Sequence, residues 1–323
     1  MSLFWEESPG ERRDLLQSLA ALAAIFVLAI LISPRAFDGS HIFLQLGNLT
    51  DILRQVSIIG IISLAMTFVI LTAGIDLSVG STLALSTSIV ATILTRWHTG
   101  LSYPFEIALA IAATLGIGAV AGAVTGAVIA LFEVQPFIVT LAGMIGIRGL
   151  AKWYSNNANT DIGFGTDVAS VFAEIFRTKS VIIGCYAGLA IIFAIVLSRT
   201  IFGRHVRAIG DNERAARYAG LPIRRVKVIV YLLSGLLSAA AGVLYAAENH
   251  QGNPNSGIAY ELDAIAAVVI GGTRLSGGRG SIGGTIIGTL LMGILTNMLR
   301  LNNVDSNIEM MVKAVIIILA VAV

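Results

Sequence analysis

At 323 residues the chain has the length of one to three soluble domains, but its composition excludes that reading. Apolar residues make up 56% and charged residues 12%, against roughly 25% charged in a soluble domain, so most of its surface faces something other than water. The net charge of +2 is too small to argue for nucleic acid, and a single cysteine, Cys185, offers neither a disulfide framework nor a cysteine zinc site. His41, His98, His205 and His250 are scattered and form no ligand pair. Glycine, at 34 residues, exceeds the usual roughly 7% and suits closely packed membrane helices. The chain reads as an all-α integral membrane protein, a single transmembrane domain over residues 1–323.

A span needs about 20 mostly apolar residues. After a short N-terminal stretch (1–14), seven charge-free windows of 19 or more residues follow in order: Leu15–Pro34, Gln55–Ile75, Leu77–Thr95, Ile107–Phe132, Ser180–Ser198, Val228–Ala247 and Gly280–Leu299. The first lacks a small-residue cleavage pattern and is read as an uncleaved span. Three further apolar segments carry charge: Pro136–Trp153 with Arg148, Tyr260–Thr273 with Glu261 and Asp263, and Ile308–Val323 with Lys313. The expected total is about ten segments. The eighth keeps only ten uncharged residues between Asp263 and Arg274, which predicts a half-helix or a short buried helix. Gly118, Gly122 and Gly126, and likewise Gly280, Gly284 and Gly288, recur every four residues and predict helix-packing seams.

The loop 199–227 holds eight of the 21 basic residues and two acids, whereas Tyr154–Lys179 holds two basic residues and three acids. The positive-inside rule makes the basic loop cytoplasmic, and the segment count then puts both termini on the same side. Within it, residues 211–219 are punctuated as a short helix. Asp211 is the expected cap, Glu213 sits in the first turn, Gly220 is the left-handed stop and Pro222 bars continuation. About eight residues cannot hold a helix alone in water. Ala215, Ala216 and Ala219 offer a flat side for a partner protein; the alternative is a helix lying on lipid headgroups.

Acids at bilayer depth are functional candidates by default. Asp76, in "TAGIDLSVG", is either such a residue or part of a tight turn at the membrane face. Glu261 and Asp263 are either functional or simply suit the dipole at a helix start. Their similar placement, after segments two and seven, fits an inverted repeat of segments two to five and seven to ten. Arg148 and Lys313 are expected to snorkel. Gly271–Ser281, "GGTRLSGGRGS", lacks the lysine of a phosphate loop and reads as a flexible cytoplasmic turn. No catalytic or metal constellation is visible.

"TAGIDLSVG", "QPFIVTLAGM", "AIGDNERAARYAGLP" and "ELDAIAAVVIGGTRLSGGRGSIGGTIIG", in that order, resemble the permease subunit of bacterial ABC importers for monosaccharides of the ribose/xylose/galactose type. The resemblance covers nearly all of the chain from Asn48 onward. It implies a non-catalytic pore subunit of the bacterial inner membrane, paired with a second permease copy or paralogue. It further implies a cytoplasmic ATPase that carries MgATP, and a periplasmic sugar-binding protein that docks on loops around Asn156–Lys179 and Glu248–Tyr260. Asp211, Asn212, Glu213, Ala215, Ala216 and Gly220 resemble the coupling signature of these permeases, although Arg214 separates Glu213 from the alanines. Two alternatives stand beside this reading. One is an ion-coupled secondary transporter using Asp76, Glu261 or Asp263; the other is an importer of the same family for a non-sugar polyol or signalling molecule.

Overall fold

A computed structural model describes residues 9–36, 39–97, 100 and 102–322. The first eight residues of the expected N-terminal stretch, the side chains of Arg12 and Arg13, His98 and the final residue lie outside the described residues. In chain order the helices are α1 (Pro9–Ile32), α2 (Leu46–Leu71), α3 (Val79–Arg96), α4 (Tyr103–Phe132), α5 (Pro136–Tyr154), α6 (Val168–Phe176), α7 (Lys179–Arg199), α8 (Ile201–Asp211), α9 (Glu213–Tyr218), α10 (Ile223–Asn249), α11 (Tyr260–Ile270), α12 (Ile282–Leu301) and α13 (Ser306–Ala322). Two two-residue strands, β1 (Thr160–Asp161) and β2 (Gln251–Gly252), pair antiparallel.

Seven helices, α1, α2, α3, α4, α7, α10 and α12, are long and apolar enough to cross a membrane, and each takes in most of one of the seven charge-free windows. The other three expected segments are α5 with 19 residues, α13 with 17 and α11 with 11. At 1.5 Å per residue α11 reaches only about 17 Å, roughly half a bilayer core, as its short apolar run predicts. Several boundaries follow from local chemistry. Prolines at the first or second position open α4 and α5. Gly220, at φ +76°, ends the turn after α9 in the left-handed region.

The helices differ in what covers them. α2 and α3 are mostly buried by other helices, whereas α1, α4 and α7 keep most of their surface open. α2 is the hub, with α7, α10, α11 and α12 around it. The most extensive helix pair, α4 with α10, is a glycine seam. A Cβ at Gly118 would meet Gly235 and Ala239, one at Gly122 the Tyr231 carbonyl, and one at Gly126 Val228 at 2.9 Å. Such backbone approach gives membrane helices dispersion contact where no hydrophobic drive between helices exists. Gly284 and Gly288 do the same against Gly271 and Ala267 of the α11 segment. Gly280 is a correction. It precedes α12 and packs on Thr273 in the turn, so it does not share the helix face of the other two.

Candidate functional site

The helices alternate in direction, and the segment 199–227 defines one end of the bundle, called here the basic end. The loop is two helices where the sequence suggested one. Glycines and apolar residues at Gly203, Val206 and Ile209 are buried on one face of α8, and Thr200 caps it by accepting from the Gly203 N–H at 3.2 Å. Asp211 closes α8 and is not the cap of α9. The cap is Asn212, whose Oδ1 accepts from the Ala215 N–H at 3.0 Å. Continuation of α8 through Asp211 moves the break one residue onward, so α9 has six residues where about eight were expected.

So short a helix needs outside support, and two ion pairs give it. Glu213 Oε2 meets Lys227 Nζ of α10 at 2.8 Å, and Arg217 meets Glu133, at the end of α4, at 3.1 Å. Hydrogen bonding to Glu133, and then its charge, hold the Arg217 guanidinium above its ordinary value. Glu213 therefore fastens α9 to its own bundle. Ala216 is a second correction: it is 5% exposed and packs into this chain's core. Besides the ion-paired Arg217, the exposed residues of α9 and its C-cap are Arg214, Ala215, Tyr218 and Ala219. Tyr218 is 92% exposed, an aromatic that sequence reasoning passed over although it lies three residues after Ala215.

The end of α8 touches two other segments at once. A Cβ on Gly210 would collide with the Leu71 carbonyl and the Gly278 N–H. Gly278 itself donates to Leu71 O at 3.0 Å, and the Asp211 carboxylate lies against Gly278. The glycine-rich turn 271–281 is therefore packed between α8 and the end of α2, which corrects its reading as a flexible turn.

From Leu71 the chain turns back into the bundle. Thr140 Oγ1 donates to Ile75 O at 3.2 Å, and Ser81 Oγ to Met144 O at 2.7 Å. Counted along α5 from Pro136, those contacts lie about 6 and 12 Å in from the basic end. Asp76 is thus buried at 2% exposure, away from any exposed turn. Its Oδ1 accepts from the Ser78 N–H at 2.9 Å and hydroxyl at 2.6 Å, and its Oδ2 from Ser234 of α10 at 2.6 Å.

A second break, residues 250–259, dips in from the opposite end, called the far end. Arg148 of α5 donates to Pro254 O at 3.0 Å and to Ser256 O at 2.5 Å, so it clamps this loop and does not snorkel. The second break meets the start of α3, two residues past the first break, where a Cβ on Gly80 would strike Gly257 O and Glu261 Oε2. Glu261 is 9% exposed, and its Oε2 has no hydrogen-bond partner among the described residues. Asp263 is in a different place, paired with Lys313 at 3.3 Å, and Lys313 also meets Glu309 at 3.1 Å. Lys313 too is therefore an internal partner, not a snorkelling one. The three candidate acids do not form one cluster. Among the described residues no group of acids, histidines and cysteine could hold a metal ion.

Residues 48–321 match a family described as branched-chain amino acid transport system / permease component. The chain is 42% identical over 312 residues to the ribose import permease protein of Escherichia coli, covering 95% of this chain and 92% of that one. It is 36% identical to the fructose import permease protein of Rhizobium meliloti, over 95% of this chain and 85% of the relative. To the xylose transport system permease protein of Haemophilus influenzae it is 33% identical over 95% of both. No solved structure matches it.

Proposed function

Because the chain belongs to the branched-chain amino acid transport system / permease component family, as a permease component without catalysis of its own, we propose that it is the pore subunit of an ATP-driven monosaccharide importer. The relatives named for ribose, fructose and xylose support a pentose or hexose as cargo. Its setting is the bacterial inner membrane, multi-pass, with both termini and the basic end in the cytoplasm. A second copy or paralogue completes the pore. A cytoplasmic ATPase with bound MgATP seats on the open face of α9, where Tyr218, Ala215 and Ala219 form an apolar landing bordered by Arg214. A periplasmic binding protein delivers sugar to the far end, where α6 and the β1–β2 pair tie the loops 155–178 and 250–259 together.

The observation that carries this reading is the contact at Gly210. Movement imposed on α9 passes through α8 to Leu71 and Gly278, the points where the first break begins and where the turn after α11 closes. Nucleotide-dependent docking then biases both broken segments, because it differs between the two states of the pore. The ion-coupled alternative is the weaker one. Asp76 is held by serine donors and Asp263 is ion-paired, so of the three acids only Glu261, with its unpartnered Oε2, is left to that alternative.

The test is vanadate-sensitive ATP hydrolysis by the complex isolated from native membranes through a tag on this chain. With periplasmic extract, one monosaccharide should stimulate it. Gly210→Val should retain the ATPase but lose the stimulation. An intact sample without copurifying ATPase activity would overturn the proposal.

A further inference from the structure

A second polar site lies away from α9, beside the end of the second break at Tyr260. It is a cavity of about 90 Å³ between α2, α11, α12 and α13, lined by Gln55, Tyr260, Asp263, Thr296, Arg300 and Lys313 among others. Gln55 is nine residues from the start of α2, so the cavity lies about 14 Å in from the far end. A polar cavity at membrane depth must hold water or a polar ligand, because its lining cannot otherwise be solvated. At about 30 Å³ per water, 90 Å³ has room for roughly three, a set that the hydroxyls of a small polyol could displace.

The charges decide which ligand fits. Arg300 pairs with Glu309 at 3.3 Å, and Lys313 with Asp263 and Glu309 at 3.3 and 3.1 Å. Two cations and two acids cancel, so the cavity has no charge to offer an ion. What remains free is neutral hydrogen bonding. The Gln55 amide has no partner among the described residues, and Asp263 Oδ1 is left as an acceptor while Oδ2 takes Lys313. Tyr260, held edge-on to Tyr245 at 6.0 Å between centroids, adds an apolar ring. An aromatic face with a few fixed donors and acceptors is the usual make-up of a small-molecule site.

We propose that this cavity is a hydroxyl-binding subsite for a neutral sugar on its way through the permease. The inference rests on the importer reading above, and the experiment separates the two. In the intact complex, Cys185→Ser removes the native thiol and Gln55→Cys places one in the cavity; Thr296→Cys is a second probe should the first fail to assemble. Ser102→Cys, in the exposed far-end turn before α4 and outside the loops assigned to the binding protein, is the control. Uptake by the Cys185→Ser complex first identifies the transported monosaccharide, and labelling by a charged methanethiosulfonate is then timed with and without that sugar. The expected result is at least threefold slower labelling at Gln55→Cys and Thr296→Cys, with no change at Ser102→Cys. A sugar that is not imported should give no protection. Import with equal labelling rates at both cavity positions overturns the subsite and leaves the importer reading standing. Absence of uptake for every monosaccharide overturns both.

Discussion

The two breaks in the bundle are held by opposite means. The first, residues 72–78, is held around a carboxylate of its own: Asp76 takes two donors from Ser78 of the same turn and one from Ser234 of α10, while Thr140 of α5 donates to Ile75 O. The second, residues 250–259, is held from a distance. Arg148 of α5 clamps two of its carbonyls, and Thr87 of α3 both donates to Asn253 O and accepts from its N–H at 3.1 Å. The first break begins beside α8 and runs straight into α3 at Val79, and α3 in turn contacts the second break, which opens toward the far end, through Gly80 and Thr87. A knot centred on its own carboxylate at the driven end and a borrowed clamp at the receiving end suit a device in which α3 carries displacement between them.

The comparison breaks most severely at Asp76. Asp76→Ala leaves the buried hydroxyls of Ser78 and Ser234 without their acceptor, at roughly 1–3 kcal/mol each. Thermal unfolding in detergent should show a large fall in midpoint, and Asp76→Asn, which keeps one acceptor oxygen, a smaller one. Equal midpoints for the wild type and Asp76→Ala would mean that the knot is not structural, and would return Asp76 to the list of transport acids.

Arg148→Met should have a smaller, more local effect. It removes one donor from the carbonyls of Pro254 and Ser256, two buried residues of a single loop, so the loss is roughly 1–3 kcal/mol in all and stays local. Hydrogen exchange at residues 250–259 should quicken while α4 and α10 stay protected. Exchange that quickens equally throughout would show that Arg148 supports the whole bundle and does not act as a clamp on one loop.

The difference between the breaks also explains what the sequence could reveal. Charge-free windows mark the seven long helices because a bilayer leaves so few alternatives, and the ten uncharged residues after Asp263 already limited α11 to a half-length helix. Asp76 stood out as an acid between two such windows, since its partners are near in sequence or plain serines. Arg148 looked like a snorkelling residue because its partners, two backbone carbonyls more than a hundred residues away, leave no trace in side-chain identity. Helix α8 did leave a trace: Gly203, Val206 and Gly210 recur at helical spacing, but the basic residues among them masked it. Ala216 was misplaced because alanine suits a buried face and a docking face equally. The β1–β2 pairing joins strands of two residues each, too short for any alternation to register.

The smallest effects belong at α9, where the two supporting ion pairs are unequal. Arg217 and Glu133 are both 57% exposed, whereas Lys227 is 17% exposed and lies 2.8 Å from Glu213. Exposed pairs gain little and are screened by salt. Arg217→Ala should therefore leave the unfolding midpoint unchanged and reduce sugar-stimulated ATP turnover by less than about threefold, a deficit that high salt in the wild type reproduces. Lys227→Ala should reduce turnover more, because the sheltered pair sets the angle at which α9 leaves α10, and salt should mimic that loss poorly. If the order is reversed, the anchor of α9 is the end of α4. The drive would then reach the bundle through the glycine seam between α4 and α10, bypassing the joint at Gly210.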